Sequence, residues 1–119
     1  MEVTSPTAPT IGYTQLVYLP NDSVAPSALT PALGQWQTYD ATAAGSKWFA
    51  TGGAGAVTGC TLATPCSFAA LKAALPNAAI SFSLGITKGR DNAFNGAVDC
   101  LEVNANKYDF EADGVHKTP

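Results

Sequence analysis

A chain of 119 residues has the size of one ordinary domain and is too short for two. Charged residues make up only 13%, about half of the roughly 25% usual in soluble domains, so Ser, Thr, Asn, Ala and Gly must cover much of the surface. Six Lys and Arg against nine Asp and Glu leave a formal charge of -3, which argues against nucleic acid or an anionic membrane as partner, and no apolar run approaches the roughly 18 residues that span a bilayer.

Residues 1–12, with Ser5, Pro6, Pro9 and Gly12, hold little apolar pattern and are expected to form a flexible tail or a leading strand. Met1-Glu2-Val3-Thr4 has no basic and then apolar character, so no export signal is readable. Thr14 to Leu19 is β-branched, aromatic and aliphatic and predicts a strand that leaves through the turn-forming Pro20-Asn21-Asp22-Ser23. Asn21 to Leu33, with Pro26 and Pro31, reads as a loop. Gly34 to Asp40 and Lys47 to Thr51 predict two short strands of a long-looped hairpin. Gly52 to Gly59 offers almost no side chain, so it is expected to hold no fixed structure without packing from elsewhere and to be the most mobile segment.

The spacing of Phe68, Leu71 and Leu75 predicts one helix, capped by Ser67 and stopped by Pro76-Asn77. Ile80, Phe82, Leu84 and Ile86 alternate with Ser81, Ser83, Gly85 and Thr87, which predicts a half-buried strand. A turn at 88–92, a long strand from Phe94 to Val103, a turn at 104–106 and a short strand from Tyr108 to Glu111 follow. One short α-helix among several strands with Gly- and Pro-rich connections makes the expected fold mainly β, an antiparallel sandwich over residues 13–111 with a tail at 112–119.

Leu16-Val17-Tyr18, Gln35-Trp36-Gln37-Thr38-Tyr39-Asp40, Lys47-Trp48-Phe49-Ala50-Thr51, the Phe68 to Ala79 helix with its Leu-Pro-Asn-Ala end, Asn95-Gly96-Ala97-Val98-Asp99 and Tyr108-Asp109-Phe110-Glu111 follow one another in a suggestive order. Together they resemble the C-terminal part of a β-sandwich module of secreted bacterial proteins, similar to lectin-like and carbohydrate-binding jelly rolls. The resemblance implies a jelly-roll-like, partial sandwich, export from the cell, and a role most members leave unassigned. Members carry further strands before the first motif. A partial sandwich would expose sheet edges, which implies self-association that completes the sheet, most simply a homodimer on a two-fold axis.

Cys60, Cys66 and Cys100 permit three single bridges. Cys60 with Cys66 is the favoured pair because it would tie the Gly-rich segment to the helix start; three reduced thiols are the alternative in a reducing compartment. The lone His116 and the absence of a C-x-x-C pair argue against zinc, and no base lies near Cys100 in sequence to activate it. Asp91, Asn95, Gly96, Asp99 and Glu102 match positions 1, 5, 6, 9 and 12 of a calcium loop, but Ala93 stands at position 3 and the flanks alternate as strands, so calcium is a minor candidate and no cofactor is assigned.

Trp36, Tyr39, Trp48 and Phe49 form an aromatic cluster, in which Trp36 and one of Trp48 and Phe49 are expected to be core. Sugar sites stack rings on pyranose faces and hold hydroxyls with Asp, Asn and Gln, so Tyr39, Asp40, Trp48 and Asn95 are the candidate ligand-binding residues. Hydrolysis would need two carboxyl groups across a bond; Asp40, Asp99, Glu102, Asp109 and Glu111 are present, yet nothing in the sequence pairs them. The expected function is a non-catalytic binding domain, for carbohydrate, with self-assembly as the alternative and a hydrolase third.

Overall fold

The β-branched and aromatic run Ile11–Tyr18 forms β2, at the heart of a four-stranded antiparallel sheet. Its neighbours are β1 (Glu2–Ser5) and β3 (Trp48–Ala50), and β4 (Ala79–Ile80) adds to the far side of β1. The computed structural model describes residues 1–5, 10–30, 32–81, 83–87, 93 and 95–118. Two helices, α1 (Gly52–Thr58) and α2 (Phe68–Ala74), belong to the same unit, Met1–Gly85; a second unit, Ile86–Pro119, holds a separate antiparallel sheet. Its strands are β5 (Leu101–Val103), β6 (Asn106–Glu111) and β7 (Gly114–Thr118). Among the described residues the chain is therefore mainly β, with two antiparallel sheets and two helices where one helix was expected, in two compact units.

In the first unit the register pairs Val3 with Thr14, Leu16 with Ala50 and Tyr18 with Trp48. An irregularity between Val3 and Ser5 shifts the pleat, so that Ile11 and Thr14 are both buried although an undisturbed strand would turn them to opposite faces. Val3, Ile11, Leu16, Trp48, Ala50, Ala54, Cys60, Leu71 and Leu75 make the core. Trp48 is its largest member, with the Tyr18 ring 5.6 Å and the Phe68 ring 5.4 Å from it. The α2 start is satisfied twice: Ala70 N–H donates to Ser67 Oγ at 3.2 Å and Phe68 N–H to Ser46 Oγ at 3.0 Å.

Several expectations are corrected. Of the two alternatives for residues 1–12, the leading strand is the one seen at Glu2–Ser5, and β2 begins at Ile11, ahead of the expected start at Thr14. Gly34 to Asp40 makes no strand; its backbone is held by single bonds such as Asp40 N–H to Ser27 O at 2.9 Å. Gly52 to Gly59 contains a helix, because neighbours supply what its composition lacks. Among the described residues the alternating Ile80 to Thr87 is a ladder only at Ala79–Ile80, with two further bonds between Glu2 and Ser81 or Ser83. Phe82 lies outside the described residues.

In the second unit Cys100 has a φ of 56°, a left-handed conformation that no strand tolerates, so β5 starts at Leu101 and not at 94. Phe94 is outside the described residues. The 112–119 segment is no tail either: Gly114, with φ 141°, closes a hairpin in which Glu111 pairs with Gly114 and Lys107 with Thr118. Asn104, with φ 54°, turns β5 into β6 in the way Asn permits.

Candidate functional site

The loop from Leu19 to Lys47 is built on three buried serines. Ser23 Oγ donates to Leu19 O at 2.7 Å and accepts from Lys47 N–H at 2.8 Å, which closes the loop at its base. Ser27 Oγ donates to Asp40 O at 2.7 Å and meets the Tyr18 hydroxyl at 2.9 Å, while Ser46 serves α2. Buried hydroxyls with partners on both sides fix a chain segment that has no ladder of its own. Gly45, at φ 82°, completes the closure, since an added Cβ would stand 2.5 Å from Val24 O.

Within this loop the segment Gln35 to Asp40 carries two exposed aromatic rings and two amides in sequence, and is called the ledge. Trp36 is 73% exposed, the reverse of its expected burial, and Leu33 and Leu29 near it in sequence are also exposed. Tyr39 is 40% exposed; its hydroxyl donates to Gln37 Oε1 at 3.2 Å, and Gln37 Nε2 donates to Thr30 O at 3.1 Å. The chain from Tyr39 through Gln37 to Thr30 limits the freedom of the ring before any ligand arrives. Asp40 shapes the turn that follows it, because one carboxylate oxygen accepts from Thr42 N–H at 3.0 Å, Thr42 Oγ1 at 2.8 Å and Ala43 N–H at 3.2 Å. The Thr42 hydroxyl and backbone bonds hold its carboxyl below the ordinary Asp value.

Trp48 does not belong to the ledge. It is 5% exposed and its Nε1–H donates to Ala41 O at 2.6 Å, so it packs as core rather than offering a stacking face. Asn95 is exposed and belongs to the second unit. Of the four predicted ligand-binding residues, Tyr39 and Asp40 belong to the ledge, and Trp36 replaces Trp48 as its large ring. Sequence reasoning placed Trp36 in the core because large aromatic rings are more often buried than exposed, and residue type alone does not distinguish it from Trp48.

The second unit gathers Asp99, Cys100 and Asp109, whose donor atoms lie within 4.8 Å of one another. The left-handed Cys100 returns Asp99 toward β6, where its Oδ1 accepts from Phe110 N–H at 2.9 Å and from Cys100 N–H at 2.7 Å. These backbone bonds lower the Asp99 pKa, and the hydrogen bond that protonated Asp109 donates to Asp99, with the charge there, raises that of Asp109. Desolvation and the two adjacent carboxylates push the Cys100 thiol up, which disfavours the thiolate a nucleophile or a soft metal site would need. In the calcium pattern, Asp91 is outside the described residues, Asp99 is turned to backbone amides, and Glu102 pairs with Lys107 Nζ at 2.8 Å. Cys60 and Cys66 are joined by a disulfide, with Cα atoms 5.3 Å apart, and Cys100 is free.

No protein-family model matches the chain, and neither does any curated protein or solved structure. Among the described residues no helix is long and apolar enough to cross a membrane.

Proposed function

We propose that this protein is a non-catalytic, jelly-roll-like sandwich domain that binds carbohydrate on the ledge of Trp36 and Tyr39. The observation that carries this reading is Trp36 at 73% exposure, with a hydrogen-bonded Tyr39 three residues on in sequence, in a loop anchored by buried serines. Leaving so large a ring in water forgoes on the order of 2 kcal/mol of burial free energy, which a stacked pyranose face would recover. The amides of Gln35 and Gln37 and the second Asp40 oxygen supply directional bonds to hydroxyls of the kind such sites use. The raised Cys100 pKa and the occupied Asp99 oxygen favour binding over covalent or hydrolytic chemistry.

Calorimetric titration against a panel of neutral and acidic polysaccharides tests it. Binding to at least one member that disappears in Trp36→Ala is the expected result; heat from none of them rejects the reading.

A second reading, self-association of identical chains, is favoured by the β5–β6–β7 sheet. Its register places Leu101, Val103, Tyr108, Phe110 and Val115 on one face together with Asn106 and Lys117, and Glu102, Lys107, Asp109 and His116 on the other. None of the described residues from 86 to 118 is buried, and a three-stranded sheet normally needs its apolar face covered. Sedimentation at rising concentration separates the two: a dimer lost on Val115→Asp supports assembly, and a strict monomer leaves sugar binding alone.

A further inference from the structure

Helix α1 has the sequence Gly-Gly-Ala-Gly-Ala-Val-Thr, seven residues with three glycines. Glycine is among the poorest helix formers, and an isolated helix of this length does not persist in water. Its N-terminus has no side-chain cap, and neither end carries a compensating charge. What keeps it helical is supplied from outside. Ala54 is fully buried and Gly55 lies against the Ala50 carbonyl. At the C-terminal end Gly59 N–H donates to Gly55 O at 2.9 Å, Thr58 Oγ1 donates to Ala54 O at 2.7 Å, and Cys60 N–H donates back to Thr58 Oγ1 at 3.1 Å.

Cys60 then joins two tethers. Its carbonyl accepts from Ala50 N–H at 2.9 Å, and its sulfur is bonded to Cys66, a residue that exchanges two backbone bonds with Trp48 at 2.8 and 2.9 Å. The disulfide therefore clips the end of the weakest helix to the strand that carries the largest core side chain. Residues 61–64 between the cysteines are exposed, and Cys66 is the less buried partner.

We infer that Cys60–Cys66 is a redox clasp on α1: reduction by a dithiol releases residues 52–60 and leaves the β1–β2–β3 sheet folded. One thiolate of the dithiol attacks the Cys66 sulfur, forming a mixed disulfide and expelling Cys60 as a thiolate that takes up a proton. The second thiol of the reductant then displaces Cys66, which is protonated in turn. The protein gains two electrons and two protons, and the dithiol leaves as its cyclic disulfide. The sheet does not depend on the clasp, since β1 and β2 pair through their own ladder, the Thr14 side chain donates to Thr51 O, and Trp48 is held by Ala41, Tyr18 and Phe68.

Hydrogen exchange read by mass spectrometry on the full chain tests the clasp. A Cys100→Ser background prevents thiol exchange, and dithiothreitol is the reductant. The expected result is exchange at amides 56–60 faster by roughly tenfold to fiftyfold on reduction, the range that a loop this short can hold, with amides 14–17 unchanged. Cys60→Ser/Cys66→Ser should show the same pattern without reductant. Unchanged protection at 56–60 in the reduced chain overturns the inference, and so does loss of protection at 14–17 together with 56–60, because the disulfide would then hold the whole unit.

Discussion

Gly55 approaches the Ala50 carbonyl so closely that a Cβ at position 55 would stand 2.8 Å from the oxygen. The Gly-rich segment is helical for this reason among others: α1 presses a side-chain-free surface onto β3, and its composition is a packing requirement. Gly55→Ala is expected to destabilise the first unit by about 1–3 kcal/mol, despite the better helix propensity of alanine. Gly53, with open space around its α-carbon, gives the opposite sign: Gly53→Ala is expected to stabilise by up to about 1 kcal/mol. Urea unfolding of the two variants checks the pair. Equal shifts in one direction would mean that the close approach at 55 does not decide the matter.

The two tryptophans should separate stability from binding. Trp48→Ala removes the centre of the core and its bond to Ala41 O, and is expected to cost about 3–5 kcal/mol. Trp36→Ala removes a ring that is mostly in solvent and is expected to change stability by less than about 0.5 kcal/mol while removing sugar binding. Thermal unfolding and titration on the same samples suffice. A destabilised Trp36→Ala would show that its ring packs in solution.

How much of this was legible in the sequence depends on where each element finds its support. Helix α2 carries its own signals, Ser67 as cap and Leu71 and Leu75 on one stripe, and forms where those signals place it. Helix α1 carries none, because Ala50 and the disulfide act on it from outside its own sequence. The converse failure is Ile80 to Thr87, whose alternation is the clearest strand pattern in the chain. Alternation reports a face that could be buried, yet whether it is buried depends on what packs there; Ile80, Leu84 and Ile86 are exposed. The ledge was half visible. Tyr39 and Asp40 are named by residue type, whereas the exposure of Trp36 follows from a loop whose buried serines no periodicity announces.

Asp40 should leave a signature in acid. Its folded pKa lies below the ordinary value because Thr42 and Ala43 donate to the ionised form, so the stability it contributes is present above the ordinary Asp pKa of about 3.9 and is lost as pH falls through the lower folded value. Asp40→Asn cannot ionise and lacks this dependence. The difference in unfolding midpoint between the natural chain and Asp40→Asn is expected to be constant above about pH 6 and to shrink as pH falls toward about pH 3. A difference that stays flat over that range would show that the Asp40 charge is not what the turn recognises.

Asp99 and Asp109 should titrate apart although they are the same residue type in one exposed sheet. Asp99 is lowered first by the Phe110 N–H and then by the Cys100 N–H, whereas Asp109 is raised by its hydrogen bond with Asp99 and by the charge there. The linkage signs are opposite. The share of stability from Asp99 is present above the ordinary Asp value and is lost as pH falls through its folded pKa; the share from Asp109 is present below that value and is lost as pH rises through its raised pKa. Carboxyl-carbon NMR across the acid range is expected to show two separated midpoints. Asp99→Asn removes the neighbouring charge, so the Asp109 midpoint should fall back toward the ordinary value; an Asp109 titration unmoved by that substitution would mean that the left-handed turn at Cys100 does not bring the two carboxyls together.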